Sequence, residues 1–215
     1  MGKEACIVTG GTLSEGFLSE YVAKHPQQLL IVVDGALEAT HRIGLQPDYI
    51  VGDFDTVDNG LLEFYDKKII LRHPPEKDQT DTELAIETAL RAQCTELVFF
   101  GATGSRLDHS LANIFLLQGL LAQNVSAVIL NETNKLYLKN QSFTIKRKDA
   151  CGDFFSLLPL TERVEGVTLT GFKYPVQCLT FYRERTLGIS NEITEEEARV
   201  EFQKGIFIVV ESRDK

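Results

Sequence analysis

Short, unbroken apolar runs recur through the first 130 residues, and several of them stop at a glycine or an aspartate. The runs are Ala5–Thr9, Leu29–Val33, Tyr49–Val51, Ile69–Leu71, Leu97–Phe100 and Ala127–Leu130. A strand that alternates apolar and polar residues keeps one face wet, whereas a continuously apolar strand has to be covered on both faces. Helical patterns lie between several of the runs. Thr80-Asp81-Thr82-Glu83 reads as a capping box opening a helix to about Gln93. Leu111, Ile114, Phe115, Gln118, Leu121 and Ala122 follow helical spacing. Strands alternating with helices imply a mostly parallel sheet. The expectation is an N-terminal α/β domain over residues 1–131.

The pattern changes near Asn131. Alternating runs follow at Ser142–Lys146, Phe154–Leu158, Val167–Thr170 and Gly205–Val210, separated by turn formers such as Gly152-Asp153, Glu165-Gly166 and Lys204-Gly205. This predicts a C-terminal all-β sandwich over residues 132–215. The glutamate-rich stretch Thr194–Arg199 reads as a solvated loop face, with one or two helical turns as the alternative.

Charge and composition exclude several classes. The formal net charge is −9, the wrong sign for a nucleic-acid-binding surface. No stretch approaches the roughly 20 apolar residues that span a bilayer, and no apolar signal region follows Met1-Gly2-Lys3-Glu4. A soluble, cytoplasmic protein is expected. Cys6, Cys94, Cys151 and Cys178 are scattered without a Cys-x-x-Cys pair, so reduced and mostly buried thiols are expected rather than a zinc cluster or disulfide framework.

Polar residues that carry chemistry gather where the apolar runs end. Gly52-Asp53-Phe54-Asp55 follows the strand Tyr49–Val51. Residues two apart on a strand share a face, so Asp53 and Asp55 are expected to aim two carboxylates at one point. Close carboxylates repel unless they share a proton or a cation, and hard oxygen ligands suit Mg²⁺. A plain polar turn is the alternative. Lys77-Asp78-Gln79-Thr80-Asp81 sits between another strand and the helix that Thr80 caps, placing Asp78 and Asp81 at a second strand end. Gly101-Ala102-Thr103-Gly104-Ser105-Arg106-Leu107-Asp108-His109 combines small residues that let backbone approach a phosphate with an arginine fork. Asp108 has a second reading as the N-cap of the following helix. Asp34-Gly35-Ala36 closes the strand Leu29–Val33, and Ser190-Asn191-Glu192 forms a polar loop in the β region. Thr9-Gly10-Gly11-Thr12 lacks the spacing of a dinucleotide fingerprint and is a weak signal.

In this order, the segments resemble the thiamine pyrophosphokinase family, bacterial type, over nearly the whole chain. Ser212-Arg213-Asp214 resembles the end of bacterial members, while Thr56 and Ser105 stand where Ser and Gly are commoner. The resemblance implies a catalytic domain that binds ATP and Mg²⁺, a thiamine-binding β-sandwich, and transfer of the β,γ-diphosphate of ATP to thiamine with release of AMP. It implies that Asp53, Asp55 and Asp81 hold metal, with Arg106 stabilising the transferred group. It further implies nucleotide or diphosphate contacts from Asp34, Gly35, Lys77, Asp78, Gly101, Thr103, Gly104, Arg106 and Asp108. Ser190 and Asn191 become thiamine contacts contributed across a homodimer. A pterin-alcohol pyrophosphokinase, a metal-dependent nucleotide phosphohydrolase and a nucleotide sensor are the rival readings.

Overall fold

The structure, a computed structural model, describes residues 2–55, 57–74 and 78–214. Lys77 and Thr56, both singled out in the sequence, lie outside the described residues. The chain divides into two compact units, Met1–Glu132 and Thr133–Lys215.

In the first unit, chain order is β1 (Lys3–Val8), α1 (Glu15–Lys24), β2 (Leu29–Val33), a 3-10 turn at Asp34–Ala36, α2 (Leu37–Arg42), β3 (Tyr49–Gly52), α3 (Asn59–Leu62), β4 (Ile70–Arg72), α4 (Asp81–Arg91), β5 (Cys94–Phe100), α5 (Leu107–Ala122) and β6 (Ser126–Leu130). The strands lie side by side as β4-β3-β2-β1-β5-β6, every pair parallel. Consecutive residues Ala5, Cys6, Ile7 and Val8 are all fully buried, so β1 is covered on both faces as its unbroken apolar run requires. Cys6, Val8, Leu30 and Val32 pack with Leu18 of α1 and Leu37 of α2, while α4 lies against β1, β2, β3 and β5. Each fully buried leucine or isoleucine in this core contributes about 1.5–3 kcal/mol.

Strand order decides where a ligand can enter. From β1 the chain builds outward through β2, β3 and β4, then returns to β1's other edge with β5. Loops leaving β1 and β5 therefore diverge, which opens a crevice beyond the strands' C-terminal ends.

The second unit contains β7 (Asn134–Lys139), β8 (Phe143–Lys146), β9 (Phe154–Pro159), β10 (Arg163–Thr170), β11 (Val176–Tyr182), β12 (Glu197–Glu201) and β13 (Phe207–Ser212). Antiparallel pairing gives the orders β7-β13-β9 and β11-β10-β12-β8. Both sheets feed one core: Phe155, Leu157, Phe207 and Val209 from the first meet Val167, Leu169, Phe181, Ala198 and Val200 from the second. This is the expected antiparallel sandwich. The expectation of a solvated loop at Thr194–Arg199 is corrected, because Glu197–Glu201 is a strand. Ala198 and Val200 face the core while Glu197 and Arg199 face solvent, a period of two hidden by the neighbouring glutamates.

All four cysteines are free; Cys6 and Cys94 are buried, Cys151 is half-buried and Cys178 is exposed. Among the described residues, no helix is long and apolar enough to cross a membrane.

Candidate active site

The crevice is a cavity of about 620 Å³ at the C-terminal edge of the parallel sheet. That is the size range of small-molecule sites. Every strand from β1 to β5 sends a loop to its wall: Thr9–Thr12, Val33–Gly35, Asp53, Gln79–Thr82 and Gly101–Arg106.

The β1 and β5 loops are fused by short backbone contacts. Gly11 N–H donates to Gly101 O at 2.8 Å, and Thr12 N–H donates to Thr103 O at 2.8 Å. Gly101 has φ 66°, and a Cβ there would stand 2.1 Å from Thr9 O. Only glycine combines that left-handed backbone with so close an approach. The weak signal at Gly10-Gly11 thus belongs to the cavity wall.

Acidic residues line the same cavity. Asp34, at the end of β2, accepts from Gly35 N–H at 2.5 Å through Oδ1 and from Phe54 N–H at 3.3 Å through Oδ2. One carboxylate oxygen from each of Asp34, Asp53 and Asp55 lies within 4.8 Å of the others. Burial, reinforced by the charge of Asp81, pushes the Asp34 carboxyl above its ordinary value, against the pull of the Gly35 and Phe54 N–H groups. Asp81 opens α4 and lines the cavity. Asp34 joins Asp53 and Asp55 in this group, because β2 pairs with β3 and delivers its terminal aspartate beside the Asp53 turn, while Asp81 lines the same cavity.

Asp53 and Asp55 do converge, though not by strand alternation. β3 ends at Gly52, Phe54 has φ 61°, and Asp55 N–H donates to Asp53 Oδ1 at 3.2 Å. A turn, not a pleat, brings the carboxylates together.

The capping box opening α4 is present: Glu83 N–H donates to Thr80 Oγ1 at 3.3 Å, and Thr80 N–H donates to Glu83 Oε2 at 2.9 Å. Asp78 is described but does not line the cavity, whereas Gln79 does and hydrogen-bonds Glu87 at 2.5 Å. Gln79 lies within the segment Lys77–Asp81 that the sequence singles out, but nothing about the amide itself marks it as a site residue.

Arg106 lines the cavity and is the N-cap residue of α5. Its Nη2 lies 2.5 Å from Asp108 Oδ2, and its Nε donates to Asp108 Oδ1 at 3.2 Å. This hydrogen-bonded guanidinium, with the His109 N–H behind it, lowers the Asp108 carboxyl to about 2. The N-cap reading of Asp108 is corrected: it sits inside the first turn, where the helix dipole favours its charge. Gly35, Thr103, Gly104, His109 and Asn113 complete the wall.

Ser190 and Asn191 lie in the second unit. Ser190 is exposed with φ 56°, its N–H donating to Ser156 Oγ at 3.0 Å. The Asn191 amide is engaged by backbone, donating to Tyr174 O at 3.0 Å and accepting from Tyr174 N–H at 3.0 Å.

A doubly covered parallel sheet whose strand ends bring carboxylates and a small-residue loop carrying arginine to one crevice defines an α/β protein with its ligand site at the C-terminal sheet edge. Comparison with known proteins refines that class. Residues 22–129 match the family described as thiamin pyrophosphokinase, catalytic domain, and residues 141–207 match its vitamin B1 binding domain. Thiamine pyrophosphokinase of Bacillus subtilis is 33% identical over 199 residues, covering 92% of each chain. The crystal structure of a thiamine pyrophosphokinase from the same organism superposes with a TM-score of 0.87 at 31% identity, covering 99% of this chain and 100% of that one. One from Geobacillus thermodenitrificans gives 0.83 at 29% identity, covering 99% and 98%. The chain belongs to the thiamine pyrophosphokinase family.

Proposed function

We propose that this enzyme transfers the β,γ-diphosphate of ATP to the hydroxyl of thiamine, giving thiamine diphosphate and AMP. The observation that carries the reading is that Asp34 and Asp53, which cluster with Asp55, line one cavity together with the Gly101–Arg106 loop. An all-oxygen donor set within 4.8 Å fits a hard divalent cation. Asp53, Asp55 and Asp34 would hold it, with Asp81 on the adjoining wall. Bound Mg²⁺ would supply charge neutralisation for the phosphate oxygens.

The chain's own groups do the rest. Arg106 presents a planar fork at the cavity mouth, kept oriented by Asp108 until a phosphate competes for it. The fused glycine loops give the diphosphate a close backbone surface. In such transfers, positioning and electrostatics supply most of the rate. Exposed Ser190 is the proposed thiamine contact, and Asn191 holds its loop in shape.

We read the protein as a homodimer whose sites are shared between subunits. Leu107, Leu111 and Phe115 support a self-contact surface: they form one row along α5 and are 74%, 51% and 55% exposed. Free thiols without a disulfide fit a reducing compartment, so we read it as cytoplasmic. The vitamin B1 binding domain match favours thiamine over a pterin alcohol or water as acceptor.

The test is incubation with ATP, Mg²⁺ and thiamine, following AMP and thiamine diphosphate. Accumulation of ADP with thiamine monophosphate would mean that a different phosphorus is attacked, and the reading would fall.

A further inference from the structure

The turn carrying Asp53 and Asp55 is held in an unfavourable backbone conformation by a residue outside the cavity. Phe54, between the two aspartates, has φ 61°. A bulky side chain avoids that region, so the turn persists only if its surroundings impose it. Three restraints act on it. Its ring is buried in the core of the α/β unit. Its N–H donates to Asp34 Oδ2 at 3.3 Å. From the other side, the Arg72 guanidinium stands 4.9 Å from the Phe54 ring centroid, and Nη1 of the same group donates to Asp53 O at 3.1 Å.

Arg72 is placed for this by strand pairing. It ends β4 and is in register with Gly52, the last residue of β3. His73 N–H donates to Gly52 O at 2.9 Å, which extends the pairing one residue and fixes the root of the side chain. The side chain then reaches forward to the carbonyl beyond the strand. Arg72 is not among the residues that line the cavity; its contacts are with the turn, through the Phe54 ring and the Asp53 carbonyl.

We propose that Arg72 is a positioning residue for the transfer reaction, locking the Asp53-Phe54-Asp55 turn so that both carboxylates face the cation site. This rests on the metal-holding role proposed above for Asp53 and Asp55. Asp34 restrains the same turn but is itself in the carboxylate cluster, whereas Arg72 acts on the turn only through the Phe54 ring and the Asp53 carbonyl. A guanidinium suits the task because one planar group lies over the ring and donates to the carbonyl together, which an ammonium does less well.

The test uses the full-length protein with ATP present, reading Mn²⁺ affinity by electron paramagnetic resonance alongside Mg²⁺-dependent kinetics and thermal melts. Loss of a group that orients metal ligands typically costs 10–100-fold in affinity, so Arg72→Met should weaken Mn²⁺ binding at least about tenfold. The Mg²⁺ concentration for half-maximal rate should rise by a similar factor, while the thiamine KM stays within about twofold. Arg72→Lys should fall between Arg72→Met and the unaltered protein. Asp55→Asn is the control for the underlying reading. If Asp55→Asn loses Mn²⁺ and Arg72→Met does not, the Arg72 role is overturned and the metal reading stands. Unaltered Mn²⁺ binding in Asp55→Asn would overturn both. If Arg72→Met lowers the melting temperature and worsens the thiamine KM together with metal affinity, and lysine restores nothing, the role is general stability and the proposal fails.

Discussion

Asn191 holds Tyr174 by both backbone polar groups, its Nδ2 donating to the carbonyl and its Oδ1 accepting from the N–H, each at 3.0 Å. The same Oδ1 accepts from Glu192 N–H at 2.9 Å, and the backbone of Asn191 bridges Phe155. The residue is only 7% exposed. Stranding a buried polar group costs about 1–3 kcal/mol, so Asn191→Ala should lower unfolding free energy by about 2–4 kcal/mol in urea. It should also raise the thiamine KM by displacing the Ser190 loop. A variant that unfolds at the same urea concentration as the unaltered protein would show that Asn191 is not a latch.

Two glycine-to-alanine changes should have opposite signs. In Gly101→Ala the new Cβ meets Thr9 O at 2.1 Å on a φ of 66°. The two loops must part, and a loss of about 2–4 kcal/mol with collapse of ATP binding is expected. Gly119 lies within α5, and a Cβ added there meets nothing within 4 Å. Alanine at that position should stabilise by about 0.5–1 kcal/mol through helix propensity. Equal melting temperatures for the two variants would contradict the close-approach account.

Alkaline pH should weaken the fold through two phenols. Burial, then the neighbouring Glu4, pushes Tyr21 far above its ordinary value; burial, then Glu211, does the same for Tyr137. Below about pH 10 both phenols are protonated, folded or unfolded, and the full stability is present. Above it only the unfolded chain ionises them, so stability falls as pH rises. At a pH of about 11, absorbance at 295 nm should leave at least two of the six tyrosines un-ionised until urea is added. Complete ionisation in the native protein would refute the burial argument.

Sharing of sites between subunits is testable by mixing Asp55→Asn with Asn191→Ala, assayed at a thiamine concentration at which neither variant is active alone. Random exchange makes about half of the dimers mixed, and one site of each mixed dimer escapes both lesions, so about a quarter of the activity should return. If exchange is demonstrated and no activity returns, the sites lie within single subunits.

Much of the architecture was legible in the chain. Unbroken apolar runs such as Leu29–Val33 predict doubly covered strands, and the capping box at Thr80 marks the start of α4. Both signals are local and therefore readable. Strand β12 is not legible in the chain, because charged residues on its outward face mask the buried Ala198 and Val200. The places of Gln79 and Asn113 in the cavity wall are not legible from the chain, because a single amide carries no spacing signal.

The sequence alone determined which residues end each strand, and so which chemical groups stand at the sheet's C-terminal edge. Tertiary structure decided which of them meet. Asp34 and Asp53 come together because β2 and β3 pair in register, Val33 opposite Val51, an arrangement set by burial across the whole sheet. The left-handed Phe54 was decided at the same level. Its cost is repaid by the buried ring, Asp34 and Arg72, none of which its sequence neighbours reveal. Spacing along a chain encodes local geometry, whereas the convergence of carboxylates depends on strand order, which only the packed sheet establishes.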